Sequence, residues 1–467
     1  MEPRARDGEA GMSGRRPAYR PVPTKDPRRV AYDLLRAVAE RDAYANLTLP
    51  GMLRERGLDE RDRALATELG YGTLRAQGLL DAVLAACLDR PLETVDATLL
   101  DVLRLGAYQL LRTRIPTHAA VNTSVDLART VLTHGQVSVV NAVLRKVSAY
   151  DEGSWLERVA PTMADDSAAH LAQQYAHPAW IVRAYRDALG GDWAETAAAL
   201  AADDERPRVH LVARPGRIGR DELVAISGGA PGPWSPYAVR LEGGDPGALA
   251  AVRDARAGVQ DEGSQLAVLA LTGTALDGSD RSWLDLCAGP GGKAALLGAL
   301  AAEREATVLA LEIQPHRARL VEQATRGLPV RTVVADGRQP PGDGHDRVLV
   351  DAPCTGLGAL RRRPEARWRR QPTDIPPLAR LQRELLTAGL QAARPGGLVG
   401  YVTCSPHLAE TRAVVADVVR RTGAEQVDAR GALPGIPDLG DGPAVQLWPH
   451  RHGTDAMFIA LLRTPRP

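Results

Sequence analysis

The chain has 467 residues, 44% of them apolar, which suffices for several cores and about three domains. Its formal net charge of +1 excludes a globally basic nucleic-acid binder and confines any phosphate-binding surface to local patches. Four cysteines, at 87, 287, 354 and 404, show neither CxxC spacing nor a nearby histidine, and no run of about 18 apolar residues occurs, so neither a zinc site nor a membrane span is expected, and a soluble cytoplasmic protein with reduced thiols is.

Residues 1 to 25 mix Arg4, Arg6, Arg15, Arg16, Arg20 and Lys25 with glycine and proline, lack hydrophobic periodicity, and are expected to form a disordered basic tail. From 26 to 150 the pattern is helical throughout. Val30, Leu34, Leu35 and Val38 share one face, as do Leu79, Leu80, Val83, Leu84, Cys87 and Leu88, which makes Cys87 a core residue. Asp26 before Pro27 suits an N-cap followed by a first-turn proline. The stretches Asp62 to Arg75, Leu103 to Leu111, Ile115 to Asn122 and Val140 to Lys146 resemble the NusB-type helical domain. That resemblance implies an all-α RNA-binding unit; periodicity alone also fits a packing or dimerisation module.

Residues 151 to 255 are expected to form a small α+β domain. It should have helices over Ala168 to Leu189, Trp193 to Ala202 and Arg220 to Ile226, and strands over Val209 to Ala213 and Ala238 to Leu241. The run from Ser227 to Pro236, rich in glycine and proline, breaks the two halves.

From 256 to 467 apolar runs alternate with helical patterns, the signature of a Rossmann-like α/β domain with a parallel sheet. Strands are placed at Ser282 to Leu286, Thr307 to Leu311, Arg331 to Val334, Arg347 to Val350, Leu398 to Val402 and Ala456 to Leu462, the first five ending in polar or reactive residues where α/β sheets bind ligands. The turn Gly289-Pro290-Gly291-Gly292 lets backbone pass close to a ligand, with a helix opening at Lys293. It departs from GxGxxG, so a nucleoside cofactor is favoured over a dinucleotide. Glu312 follows the next strand, where a carboxylate can accept ribose hydroxyls, and Asp336 follows the third, suited to an adenine amine. Loop, Glu312 and Asp336 together point to S-adenosylmethionine (AdoMet). Cys354 and Cys404 each follow a strand and are expected to face one pocket, Cys404 needing activation by local positive charge, for which Lys293 is a candidate, or by proton transfer to substrate; Cys287 reads as a small lining residue. Between Arg361 and Arg370 six arginines surround Trp368, and this cluster is expected to be a phosphate-binding surface.

The string DLCAGPGGK over 285–293, the tetrad ending in Cys354 and the tripeptide around Cys404 resemble RNA cytosine-C5 methyltransferases, and together with the NusB-like front half the bacterial Sun/RsmB-type 16S rRNA enzymes. The resemblance implies that Cys404 attacks C6 of cytosine, Cys354 assists release, and Asp351 meets the N3/N4 edge. It implies a cofactor site built from Cys287, Ala288, Gly289, Pro290, Gly291, Gly292, Lys293, Glu312, Asp336 and Asp351, with Lys293 also in the catalytic set. The partner implied is 16S rRNA, with neither DNA nor membrane; a monomer is the default state. Gly289 and Ala294 stand where family members often carry alanine and threonine. Two other readings stay open, a catalytically idle RNA-binding assembly factor and the same chemistry on tRNA.

Overall fold

In a computed structural model, which describes residues 25–466, the first unit is built only of helices. All but the last residue of the expected basic tail lies outside the described residues. Asp26 accepts from the Arg28 N–H at 2.9 Å and caps α1 (Pro27–Arg41). After α2 (Ala45–Glu55), Asp59 and Asp96 cap α3 (Glu60–Cys87) and α4 (Ala97–Arg112) in the same way, and α5 (Thr117–Val131) and α6 (His134–Val147) follow. Helices α3 and α4 meet where α3 has no side chain: a Cβ on Gly72 would fall 2.0 Å from the hydroxyl of Tyr108, which instead donates to Glu68 at 2.5 Å. Cys87 is buried in this core, where the apolar periodicity puts it.

The second unit, from Gly153 to Pro467, takes in all but the first residue of α7 (Glu152–Val159) and contains both the segment read as a small domain and the α/β part. The single helix expected over Ala168 to Leu189 is two, α8 (Ser167–Gln174) and α9 (Ala179–Ala188), because Pro178 disfavours helical geometry at His177 and opens the second helix itself. Next come α10 (Trp193–Asp204), β1 (Val209–Ala213), α11 (Arg220–Ser227), β2 (Ala230–Pro231), β3 (Ala238–Leu241), α12 (Ala250–Arg253) and β4 (Ala257–Val259), whose four strands form an antiparallel sheet in the order β2-β3-β1-β4. Helices α8 to α10 bury Ile181, Val182, Tyr185 and Leu200 against Leu357, Leu360 and Trp448, so they share one core with the chain that carries the thiols.

The remaining elements are α13 (Glu262–Gly273), β5 (Ser282–Asp285), α14 (Gly292–Glu303), β6 (Thr307–Leu311), α15 (Pro315–Ala324), β7 (Val330–Val333), β8 (His345–Asp351), α16 (Ala366–Arg369), α17 (Ile375–Ala392), β9 (Ala393–Thr403), α18 (Arg412–Thr422), β10 (Glu425–Val427), β11 (Val445–Gln446), α19 (Pro449–His452) and β12 (Phe458–Arg463). The sheet runs β10-β12-β9-β8-β5-β6-β7, with β11 paired to β12. Strands β5 to β9 are parallel, but β12 runs antiparallel to β9 and β10 antiparallel to β12, which corrects the expectation of a purely parallel sheet. Because the chain leaves β5 to build β6 and β7 on one side and returns to build β8 and β9 on the other, the carboxyl end of β5 lies at the switch point where α/β sheets open a crevice. Apolar layers on both faces hold the sheet: Trp283, Leu297, Leu349 and Val402 on one side, Leu284, Val348, Tyr401 and Phe458 on the other. Among the described residues no helix is long and apolar enough to cross a membrane.

Three of the six clustered arginines, Arg361, Arg362 and Arg367, are not part of the open phosphate-binding surface that the composition suggested, whereas Arg363 is exposed. Arg361 is buried with its Nε 3.0 Å from Asp455, and Arg362 reaches Asp261 at 2.6 Å and Asp455 at 2.9 Å. Arg367 is fully buried, pairing with Asp204 at 2.8 Å and donating to the Asp203 carbonyl at 2.9 Å. These partners are remote in sequence, so local charge density could not reveal that the guanidinium groups are neutralised within the fold. Breaking a buried pair from one side leaves an uncompensated charge at a cost of about 3 kcal/mol or more. Arg367→Ala is therefore expected to lower the unfolding free energy in urea by about that amount. An unchanged midpoint would show that the loop is held by other contacts.

Candidate active site

The sheet delivers its polar residues to one edge. Asp285 ends β5, Glu312 follows β6, Asp351 ends β8 and Cys404 follows β9; β8 and β9 are in register with Asp351 opposite Val402. Adjacent parallel strands thus release their next residues side by side, and the Sγ atoms of Cys354 and Cys404 lie 3.4 Å apart, both as free thiols.

One buried carboxylate fixes both thiol-bearing turns. Glu410, with no exposed surface, accepts through Oε1 from the Thr355 N–H at 2.8 Å and the Gln382 amide at 3.1 Å, and through Oε2 from the Thr355 hydroxyl at 2.5 Å and the Ser405 hydroxyl at 2.7 Å. Thr355 follows Cys354 and Ser405 follows Cys404, so the same side chain ties down the residue after each thiol. Gln382 extends the network to the Pro353 carbonyl at 2.8 Å. Gly358 closes it from the far side: its N–H donates to the Cys404 carbonyl at 2.8 Å, and a Cβ there would sit 2.0 Å from the carbonyl oxygen of Ala456. Sequence reasoning missed Glu410, Thr355 and Gln382. An isolated glutamate six residues beyond Cys404 carries no local signal of burial, and Ser405, although it lies in the tripeptide around Cys404, carries none of its bond to Glu410.

The electrostatics separate the two sulfurs. The hydrogen bond from Cys354 lowers the Cys404 thiol; burial and Asp351 oppose it, Lys293 and Arg363 assist, and the net shift is downward. Cys354 moves well above the usual range, because of the same hydrogen bond and then burial. The arrangement therefore favours a thiolate on Cys404 next to a thiol on Cys354. The Lys293 Nζ lies 2.8 Å from Asp351 Oδ2; burial works against its charge, but Asp351 outweighs this and the ammonium is held above its ordinary value.

The glycine-rich loop sits between β5 and α14 as its composition requires. Gly291 has φ +110°, and a Cβ there would lie 2.7 Å from that of Ala324. Glu312 is buried beneath the loop and accepts from the Gln314 N–H at 2.9 Å, while Arg317 donates to the Gly289 carbonyl at 2.6 Å. A Cβ on Gly289 would be 2.0 Å from Glu312 Oε2, so glycine lets this carboxylate lie directly against the loop. Cys287 packs beside the loop in the apolar layer of the sheet, and burial, then Asp285, raise its thiol well above the usual range, in keeping with a lining role. Asp336 stands apart from the buried set: its carboxylate is partly exposed and forked with Arg338, at 2.6 Å for Oδ2.

Asp285 is the other residue whose role the sequence did not announce. It is fully buried, Oδ1 accepts from the Cys287 N–H at 3.2 Å, and Oδ2 has no hydrogen-bond partner. Burial, then Asp351, push its carboxyl up to about 7. An orphaned acid beneath a glycine turn that admits close backbone approach, with Glu312 at its side, fits a cationic nucleoside such as AdoMet.

Comparison with known proteins agrees in both halves. The family model for 16S rRNA methyltransferase RsmB/F matches residues 274–463, and that for the NusB family matches residues 25–149. A protein of Mycobacterium tuberculosis (strain H37Rv) named as a methyltransferase is 57% identical, over 96% of this chain and 98% of its own. Ribosomal RNA small subunit methyltransferase B of Cronobacter sakazakii is 31% identical, over 89% of this chain and 96% of its own. The crystal structure of PH0851 has the same fold, with a TM-score of 0.78 at 22% identity over 94% of this chain and 98% of the other.

Two outcomes follow from this geometry. Asp285 is held protonated in the folded protein between its ordinary value of about 4 and its shifted value near 7, so its contribution to stability falls as pH rises through that window. A cation beside it reverses the preference, and AdoMet binding near pH 6.5 is expected to release a proton, read by calorimetry in two buffers of different ionisation enthalpy. Equal proton release in Asp285→Asn would remove Asp285 from the cofactor site. Glu410→Gln keeps the size of the side chain but replaces one acceptor oxygen with a donor, facing hydroxyl and amide groups that already donate. We expect a fall in kcat of at least tenfold, about 1.4 kcal/mol in barrier, with AdoMet affinity retained; parallel loss of AdoMet affinity would mean a general collapse of the domain instead.

Proposed function

The chain belongs to the 16S rRNA methyltransferase RsmB/F family, whose members depend on AdoMet, and from that premise and the thiol geometry we propose that it methylates C5 of a cytosine in 16S rRNA, in the cytoplasm, through a covalent adduct on Cys404. The observation that carries this reading is the 3.4 Å pair of unlike sulfurs at the ends of two adjacent strands. Methylation at a heteroatom needs no thiol, because nitrogen and oxygen bring their own lone pairs. C5 of cytosine becomes nucleophilic only after a thiolate adds at C6, and a second sulfur beside the first suits a reaction in which the adduct must later be dismantled.

Cys404, kept toward its thiolate by the hydrogen bond from Cys354 and by Lys293, forms the bond to C6, and electron density moves to C5. Asp351, partly exposed and oriented by Lys293, meets the N3/N4 edge of the base, and a proton shared with N3 there makes C6 more electrophilic. When bound, AdoMet supplies an electrophilic methyl group. Asp285, Glu312 and the loop from Cys287 to Gly292 hold it, with Lys293 and Asp351 bordering both ligands; Asp336, released from Arg338, is the outermost contact. After transfer, the C5 proton leaves to a base, the C5–C6 double bond reforms, and the C6–S bond breaks to return the Cys404 thiolate. Bonding of Cys404 to C6 removes the hydrogen bond that holds Cys354 protonated, so that Cys354, once its own proton has passed to solvent, or a water beside it takes the C5 proton. The base must first leave its stack, at a cost of roughly a few kcal/mol that is smaller in a loop. Presence of both thiols and of Lys293 favours this enzyme over an idle assembly factor, and the NusB family match with the rRNA relatives favours 16S rRNA over tRNA.

Cys404→Ser is expected to abolish methyl transfer and to leave AdoMet affinity nearly intact by calorimetry. Cys354→Ala is expected to let Cys404 attack and the methyl group move, yet to slow elimination. Protein linked to RNA should then accumulate as a gel band that survives denaturation and disappears with ribonuclease, and the double variant should lack it. Normal turnover by Cys354→Ala with no trapped band would assign release to another group.

A further inference from the structure

A groove of about 550 Å³ flanks the cofactor loop; Arg214, Arg253, Gly258, Pro290, Ala324 and Arg326 line it, and no carboxylate or aromatic ring does. Arg217 stands next to it, donating to the carbonyl of Gly327 beside Arg326. Among the described residues no carboxylate pairs with Arg214, Arg217, Arg253 or Arg326, whereas the buried guanidinium groups of Arg347, Arg361 and Arg367 each meet an aspartate. Arg214 is the anomaly. It is 5% exposed, its Nη1 donates to the Ala255 carbonyl at 2.7 Å, and its Nε is buried with no partner. Burial, then Arg217, lower its pKa to about 10, the signature of a cation that the fold leaves uncompensated. Gly258 leaves room for it: a Cβ there would meet Arg214 Nη2 at 3.1 Å.

Burying a guanidinium without an acid is costly unless an anion arrives from outside. The lining supplies no ring on which a base could stack and no acid to accept from ribose hydroxyls, so neither a base nor a nucleoside is recognised here. What remains is a forked cationic site for phosphate oxygens. Its position beside Pro290 and β4 sets it along the cofactor loop, with Gln260, just after β4, 3.9 Å from where a Cβ on Gly292 would lie.

We propose that this groove seats a backbone phosphodiester of the RNA substrate, read by Arg214 from below and by Arg253 and Arg326 from the rim. The inference rests on RNA being the substrate and not on the C5 chemistry, so it is tested by binding in the Cys404→Ser background, where no reaction intervenes. Arg253→Gln with Arg326→Gln, both at exposed positions, spares the internal contact of Arg214. Binding of a 16S rRNA transcript, measured by filter retention across a potassium chloride series, should weaken with a slope of log K against log salt lower by about 1, and AdoMet affinity should stay the same. A slope equal to that of the parent, or a matched loss of AdoMet affinity, would overturn the proposal, as would absence of transcript binding by the parent itself. Failure of the C5 reading would show instead in the trapped-adduct experiment and would leave this measurement standing.

Discussion

The candidate site depends on the four hydrogen bonds that converge on the buried Glu410 carboxylate. Parallel pairing of β8 with β9 brings two chain segments to the same edge, but strand pairing ends before either sulfur, and beyond Ala352 and Thr403 the chain must turn without ladder support. Glu410 replaces that support, accepting from the residue after each cysteine and from Gln382. A carboxylate at this depth costs free energy that only full satisfaction of its lone pairs offsets, and the donors are arranged to provide it. The sulfur separation is therefore a property of a network and not of the cysteines alone.

A second constraint acts through charge. Asp285, Asp351 and Glu312 lie within one small volume with Lys293 as their neighbouring cation, and repulsion among them contributes to keeping Asp285 protonated. Nearby, the same surroundings separate the two sulfurs in opposite directions. Like groups placed together and driven apart in affinity for protons are the usual mark of acid, base and nucleophile roles divided among a few side chains.

Much of this was readable in the order of residues. Strands β1, β3 and β6 fall at the expected bounds because each is a short apolar run between polar breaks; the strand-end position of Glu312 followed from β6, and those of Asp351, Cys354 and Cys404 from the apolar runs that became β8 and β9. Long-range pairing was not readable. Arg361, Arg362 and Arg367 looked like part of a surface because Asp203, Asp204, Asp261 and Asp455 are distant in sequence; only the fold brings them together. The antiparallel edge was missed for a related reason: β12 reads as an apolar run in either direction, and its sense is set by the route of the chain through β10 and β11. Asp285 and Glu410 escaped because a buried acid is recognised by what surrounds it, and neither has a sequence neighbour that says so.

The core shared by α8, α9 and α10 with Leu357, Leu360 and Trp448 bears on how the polypeptide can be divided. Composition changes near residue 256, and a fragment beginning there would retain every residue of the candidate site. It would also expose the apolar sides of Leu357, Leu360 and Trp448 to water and strip Arg367 of Asp203 and Asp204, on the stretch that leads directly from Cys354. The hydroxyl of Tyr185, which donates to the Leu357 carbonyl at 2.6 Å, would be lost with them. A fragment that keeps this core therefore begins upstream of α8, and truncation at the compositional boundary is expected to give an aggregation-prone product whose buried Arg367 has lost two of its partners on the stretch beside the Cys354–Cys404 pair.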